Sequence, residues 1–315
     1  MAPTEAQYQL AIRRLNAGEL VAFPTETVYG LGADALNPQA LARVFALKGR
    51  PTAHPLIAHV GERQQVAALA REWSATAEQL AQRFWPGPLT LVVPKRASVP
   101  AELTGQQDSV AIRMPDHPIA LELLRRFAKP LAAPSANRFG AISPTQAAHV
   151  RAEFSDAPEL LILDGGPARV GIESTIVSLV AEPLLLRPGQ IALDELKSLL
   201  PTLRVASDAE GPKASGRLES HYAPKTPTQW VSHAHLATLA SDAAVLAFTP
   251  KPPKHRGLWI TAANDPTQYA HDLYAHLRHL DAAKAASIYV ERLPATRQWA
   301  AILDRLERAC YPVMK

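Results

Sequence analysis

Three arginines stand just before a proline, in Lys48-Gly49-Arg50-Pro51, Arg113-Met114-Pro115 and Arg187-Pro188-Gly189. Proline cannot continue a β-ladder, so each segment turns away there and leaves its arginine at the rim of a sheet. Open α/β sheets bind their ligands at such rims. A planar guanidinium suits carboxylate and phosphate because it donates two parallel hydrogen bonds. Singly, each is explained as well by an ordinary surface arginine. The shared punctuation is what sets the three apart.

Three further segments supply small polar groups. The run Phe23-Pro-Thr-Glu-Thr-Val-Tyr-Gly-Leu-Gly32 places Thr25, Glu26 and Thr27 after an apolar stretch and ahead of glycines that permit close backbone approach. A plain strand–turn–strand accounts for it equally. Ala133-Pro-Ser-Ala-Asn137 and Ser143-Pro-Thr145 offer hydroxyls and an amide, although Ser143 also reads as a helix N-cap. Glu173, Ser174 and Thr175 follow the glycine-rich Gly165-Gly-Pro-Ala-Arg-Val-Gly171. The phosphate loop G-x-x-x-x-G-K-[ST], the dinucleotide fingerprint G-x-G-x-x-G, H-E-x-x-H and G-x-S-x-G are all missing from the sequence. A nucleotide would have to be met by scattered cations and backbone amides.

These groups need a scaffold, and the hydrophobic periodicity predicts an α/β one. Strands are expected at 20–23, 56–60, 89–93, 110–114, 131–133, 160–163, 175–180 and 184–186. Helices are expected at 5–17, from Pro38, and near 62–71, 75–84, 117–127, 145–154 and 192–200, with Trp73 and Trp85 as core residues in helical patterns. Residues 1–200 then form one domain, a large twisted mixed sheet with flanking helices; the late strands are too closely spaced for an all-parallel sheet. Residues 201–228, rich in Pro, Ser, Gly and charge, read as a linker too long for a simple connection. Its island Ser220-His-Tyr-Ala-Pro-Lys225 suggests a lid over a nucleotide. Residues 229–315 predict a small Rossmann-like α/β domain, with strands at 243–248, 258–261 and 287–290 and helices from Pro266 and over 299–309. His276 and His279 fall off the apolar face of the first of these helices and read as solvated.

Composition narrows the function classes. A charge of 33 − 29 = +4 allows anionic ligands but argues against nucleic-acid binding as the sole activity. One cysteine, Cys310, excludes a disulfide framework or a cysteine zinc site. No apolar run approaches the ~18 residues of a membrane span, so a cytoplasmic protein is expected. Prolines outnumber glycines 28 to 15, favouring rigid turns over flexible linkers.

In combination the motifs are specific. FPTETVYGLGADA, KGRP with HPLIAHV, WPGPLTLVV, VAIRMPDHP, APSANRFGAISPT, GIESTIVS, LLRPG and SHYAPKTP appear in that order across residues 20–225. The set resembles the YrdC/YwlC family in its long form, the threonylcarbamoyl-AMP synthases with an extra C-terminal domain. The resemblance implies ATP-dependent carbamoylation: L-threonine and bicarbonate (or CO2) form a carbamate that attacks the α-phosphorus of ATP and releases pyrophosphate. The product would be passed to tRNA threonylcarbamoyl transfer proteins to make threonylcarbamoyladenosine, with weak tRNA binding by this chain and no membrane partner. By motif, Thr27, His59, Arg113, Ala133 and Ser174 are expected to hold threonine. Lys48, Arg50, His54, Ser109, Ser135, Asn137, Ser143, Arg187 and Tyr222 are expected around ATP, with Lys48 and Arg50 also stabilising charge in the transfer. Mg2+ is expected on the ATP phosphates, since no strong acidic cluster stands out. Many relatives have asparagine in place of His54. Two rival readings are a tRNA or double-stranded-RNA module and a hydrolase using Ser135 with His59; Ser135 lacks the elbow glycines of the latter.

Overall fold

The computed structural model describes residues 3–207 and 209–311; position 208 of the expected linker and positions 312–315 of the expected C-terminal domain lie outside the described residues. The chain divides into two units, one running to Phe139 and resuming over Pro144–Arg217, the other formed by Gly140–Ser143 and the chain from Leu218 onward.

The first unit opens with α1 (Glu5–Asn16), started by a capping box in which Thr4 and Gln7 satisfy each other's amides. β1 (Val21–Phe23) and β2 (Gly30–Asp34) then pair antiparallel, so the strand–turn–strand reading of 23–32 is realised with Thr25, Glu26 and Thr27 in the turn. α2 (Pro38–Lys48) has Asn37 as its N-cap, accepting from the Gln39 and Ala40 amides, and proline at its first position. It buries Leu41, Val44, Phe45 and also Lys48 in its last turn, and ends at Gly49, whose φ of 62° lets the chain reverse toward Arg50. The elements that follow are β3 (Ile57–His59), α3 (Ala75–Phe84), β4 (Leu89–Pro94), α4 (Ala101–Thr104), β5 (Ser109–Arg113), α5 (Pro118–Phe127) and β6 (Leu131–Ala132). Then come α6 (Ala147–Glu153), β7 (Leu161–Ile162), β8 (Thr175–Ser178), β9 (Leu184–Arg187), α7 (Leu193–Leu199) and β10 (Arg204–Val205).

Ten strands form one sheet in the order β10-β9-β8-β4-β5-β3-β6-β2-β1-β7, with parallel and antiparallel pairs mixed as expected. Its central strands are largely buried, and each fully buried Leu or Val there contributes about 1.5–3 kcal/mol. Three local expectations are corrected. Residues 63–68 form a 3-10 helix rather than an α-helix over 62–71, and α4 and β10 were unforeseen because four and two residues carry no readable period. Trp73 precedes α3 instead of lying in a helix; its indole N–H donates to Glu78 at 2.8 Å and its ring tilts against Trp85.

The second unit contains β11 (Thr228–Val231), β12 (Ala244–Ala247), β13 (Trp259–Thr261), α8 (Pro266–Ala282), β14 (Ile288–Glu291) and α9 (Ala300–Ala309). Its sheet, ordered β11-β14-β12-β13, is wholly parallel. Asp265 caps α8 by accepting from the Gln268 amide at 2.8 Å, and the helix buries Ala270, Leu273, Leu277 and Leu280 as the pattern predicts. His279 is exposed, but His276 is half-buried, because Tyr269 and Tyr274 widen the buried face beyond the aliphatic stripe.

The segment 201–228 is shared between the units. Gln107 exchanges hydrogen bonds with the Lys213 backbone in the first, and the Lys225 and Thr226 amides donate to Asp281 in the second. No helix among the described residues is long and apolar enough to cross a membrane.

Close backbone approach requires a glycine at Gly189, just past β9. A Cβ there would stand 2.4 Å from the Thr175 backbone nitrogen. Gly189→Ala is therefore expected to lower the unfolding free energy by about 1–3 kcal/mol. The readout is a lower urea midpoint with an unchanged m-value; an unchanged midpoint would mean that β8 and the chain after β9 can separate without cost.

Candidate active site

β5 carries Arg113 out to the sheet rim, directly across from His59 in the β3/β5 register. There the guanidinium is 4% exposed and each of its nitrogens has a partner. Nε donates to the Gly87 carbonyl at 3.3 Å, Nη1 donates to Thr27 Oγ1 at 2.8 Å, and Nη2 lies 2.6 Å from Glu26 Oε1 in a buried ion pair. The turn that brings Glu26 and Thr27 here is set by Thr25. Its hydroxyl accepts from the Thr27 and Val28 amides at 3.2 Å and donates to the Val28 carbonyl at 2.6 Å. Thr27 Oγ1 lies 2.9 Å from Thr25 Oγ1, a contact between two hydroxyls in the same turn.

His59 sits edge-on to Phe23, with Nδ1 3.2 Å from the Ile57 carbonyl oxygen. Burial first, and the positive charge of Arg113 second, push its pKa down to about 3, against the opposing pull of the Ile57 carbonyl. It is a neutral imidazole at any working pH.

A second arginine organises the adjoining strand ends. Arg187, closing β9, donates from Nε to the Ser174 carbonyl at 3.0 Å and from Nη2 to Ser174 Oγ at 3.1 Å, and Ser174 Oγ also meets Thr90 Oγ1 at 2.7 Å. Arg187 Nη1 reaches the Ser215 carbonyl at 3.0 Å, while the Ser215 hydroxyl lies 3.4 Å from Arg50 Nη2. Arg50 also donates to the Pro55 carbonyl and lies over the Phe139 ring, which tilts against His54. Lys48, buried at the end of α2, donates to the Ser135 carbonyl at 2.6 Å and to the Asn137 carbonyl. Desolvation drives the Lys48 pKa well below the usual lysine range, the nearby Arg50 charge lowers it further, and Glu153 opposes both. His54 is likewise lowered, by burial and then by Arg50 and Lys213.

These contacts close into a ring. From Arg113 it runs through Gly87 and Pro88, whose carbonyl takes the Thr175 amide, to Ser174 and Arg187. From there it passes through Ser215, Arg50, Phe139 and Lys48 to Ser135, which bridges to Gly30 at the end of the Thr27 turn. Ala133 stands beside it, its amide donating to the Ile57 carbonyl. Three expected residues are not members of this ring of contacts. Ser109 begins the strand that Arg113 ends, about 13 Å along it. Ser143 and Tyr222 belong to the second unit, where Tyr222 is a buried packing residue stacked on Tyr274 with φ at 60°. The sequence reading missed Glu26, Thr90, Gly87 and Ser215 as site residues; a carboxylate between two threonines at the end of an apolar strand was the available signal for Glu26.

The fold and this ring have counterparts among known proteins. A family model described as Telomere recombination (Sua5/YciO/YrdC) matches residues 13–189. A second, described as Threonylcarbamoyl-AMP synthase, C-terminal domain, matches residues 191–310. The chain is 38% identical over 328 aligned positions to the threonylcarbamoyl-AMP synthase of Pyrococcus abyssi, covering 99% of this chain and 96% of that one. It is 36% identical to the Bacillus subtilis protein of the same name, covering 98% and 94%. The crystal structure of P. abyssi Sua5 complexed with L-threonine superposes with a TM-score of 0.90 at 37% identity, over 98% of this chain and 96% of that one.

Two predictions follow from the geometry. Arg113→Met leaves the Glu26 carboxylate buried without its counter-charge, and should cost about 3–5 kcal/mol in urea unfolding. Adding Glu26→Gln should restore much of that loss, and strict additivity of the two substitutions would show that the pair does not couple. For His59 the folded pKa of about 3 lies below its unfolded value near 6.5. The unfolded chain therefore binds the proton first as pH falls, so stability from this group is complete above about pH 6.5 and declines toward pH 3. Between pH 6.5 and 4 the wild type should lose on the order of 3 kcal/mol more than His59→Gln; parallel pH profiles would show a solvated, titrating imidazole.

Proposed function

The chain belongs to the threonylcarbamoyl-AMP synthase family, nucleotidyl-transferring enzymes built from a Sua5/YciO/YrdC domain and a Sua5 C-terminal domain, and from that membership we propose its substrates and reaction. It condenses L-threonine, bicarbonate or CO2, and ATP to threonylcarbamoyl-AMP and pyrophosphate. The observation that carries this reading is the ring of contacts, which joins a carboxylate-binding end at Arg113 to a cationic end at Lys48, Arg50 and Arg187 within one unit.

In this reading the threonine carboxylate lies on the Arg113 guanidinium, which keeps N–H groups beyond those its protein partners use. Neutral His59 supplies a dry, uncharged wall beside it. Ser174, fixed by Thr90 and Arg187, offers its hydroxyl to the amino acid. Lys48, Arg50 and Arg187 face the nucleotide phosphates, with Ser135, Asn137 and His54 beside them. The carbamate oxygen attacks the α-phosphorus and pyrophosphate leaves, a step that needs positioning and charge neutralisation more than a protein nucleophile. Among the described residues no three His, Cys, Asp or Glu side chains are grouped to hold a metal ion, so Mg2+ enters as part of the ATP substrate. The product is a mixed anhydride, suited to immediate use by a cytoplasmic partner that modifies tRNA.

The test is mass spectrometry of rapidly quenched reactions containing ATP, bicarbonate and L-threonine. Threonylcarbamoyl-AMP and pyrophosphate should appear together, and ATP consumption without that adduct would overturn the reading. Lys48→Ala or Arg50→Ala should lower turnover by about 10²–10³ with thermal melting preserved. Full activity in either folded variant would remove it from the phosphate end.

A further inference from the structure

Glu26 is the one feature of the ring that the proposed chemistry leaves without a task. Its side chain is 1% exposed, and neither carboxylate oxygen receives a hydrogen bond of normal geometry among the described residues; its partner is the Arg113 charge at 2.6 Å. A buried carboxylate is costly unless it is both paired and hydrogen-bonded. Here the pairing exists and the hydrogen bonds do not. The neighbouring Thr27 hydroxyl accepts from Arg113 Nη1 and meets Thr25 Oγ1, so it too is turned to its protein partners. Beside the guanidinium that suits a carboxylate there are thus two buried carboxylate oxygens short of donors. An α-amino acid presents the complementary pair, a carboxylate next to an ammonium with three N–H donors.

We propose that Glu26 receives the α-ammonium of the amino-acid substrate and accepts its proton, freeing the amine for carbamate formation. The inference rests on the threonine reading above and assigns the part of that reaction which needs a base. One ammonium N–H bond breaks and its proton passes to a Glu26 carboxylate oxygen, which becomes the neutral acid. The nitrogen lone pair forms the N–C bond to CO2, and one C–O π pair moves onto oxygen. The nitrogen then releases a second proton to water, leaving the neutral N–H carbamate carrying one negative charge on its oxygens. Glu26 returns its proton to solvent when product leaves. Arg113, by taking the substrate carboxylate, sets the ammonium beside Glu26.

The experiment is calorimetric titration of the full chain with L-threonine and with (R)-3-hydroxybutanoate, which keeps the carboxylate and hydroxyl but lacks the amine. The wild type should bind threonine about ten- to a hundredfold more tightly than the deamino analogue. Glu26→Gln should erase that preference, weakening threonine while leaving the analogue within about twofold. Equal loss for both ligands would make Glu26 a purely structural partner of Arg113 and overturn the proposal. So would unchanged threonine affinity, or a wild type that does not discriminate, and the last stands whether or not the variant folds. A wild type that binds threonine selectively yet forms no threonylcarbamoyl-AMP would instead sink the reaction reading and leave the ammonium receptor standing.

Discussion

A guanidinium held out of water is the constraint from which the first unit is built. Burying the Arg113 guanidinium at the end of β5 is costly unless it is paired, and a carbonyl, a hydroxyl and a carboxylate meet it from three directions. Each partner imposes a demand on a distant stretch of chain. The carbonyl requires the Trp85-Pro-Gly-Pro88 turn ahead of β4, and the hydroxyl requires Thr25 to lock its own turn. The carboxylate requires a glutamate to be buried where sequence logic would put a solvated one. The mixed sheet then serves mainly to bring these turns to a common rim.

Much of this was visible in the residues. The proline after Arg113 and Arg187, the N-cap Asn37, the glycine after Lys48 and the apolar stripe of α8 each encode their structure locally, whereas Arg50 follows a helix and not the expected strand. What escaped has a common cause. The contact of Arg113 with Thr27, the capture of Ser174 by Thr90 and Arg187, and the contact of Arg50 with Ser215 all join separate segments of the chain. A residue such as Glu26 reads as polar and exposed until its partner is known. Conversely, Ser109 and Arg113 look like one cluster in sequence, yet strand geometry holds them at opposite ends of β5.

The second unit shows the same physics turned inward. At the carboxyl ends of its parallel strands, where such folds meet phosphates, the Glu291 carboxylate accepts from the Phe248 and Thr249 amides and from the Thr249 hydroxyl. Burial pushes its pKa up, but the His233 ring 2.9 Å away and then these bonds hold it below the ordinary carboxylate range. The strand-end amides that would meet a phosphate are already satisfied by the chain itself, which accounts for an α/β sheet that carries no nucleotide fingerprint.

The strand order has a consequence for how the molecule comes into being. β1 lies between β2, its neighbour in sequence, and β7, well over a hundred residues further along; β4 is flanked by β5 and by β8. On a ribosome, a chain released only as far as β6 has both flanks of the sheet unfilled, and Arg187 has not yet been synthesised. Such long-range pairing slows folding. Nascent chains therefore pass through a long interval with bare strand edges, the condition in which chaperone capture and misassociation compete with folding. The ring of contacts needs Arg187 and Ser215, so a chain stalled before β9 yields a partial sheet in which that ring cannot close.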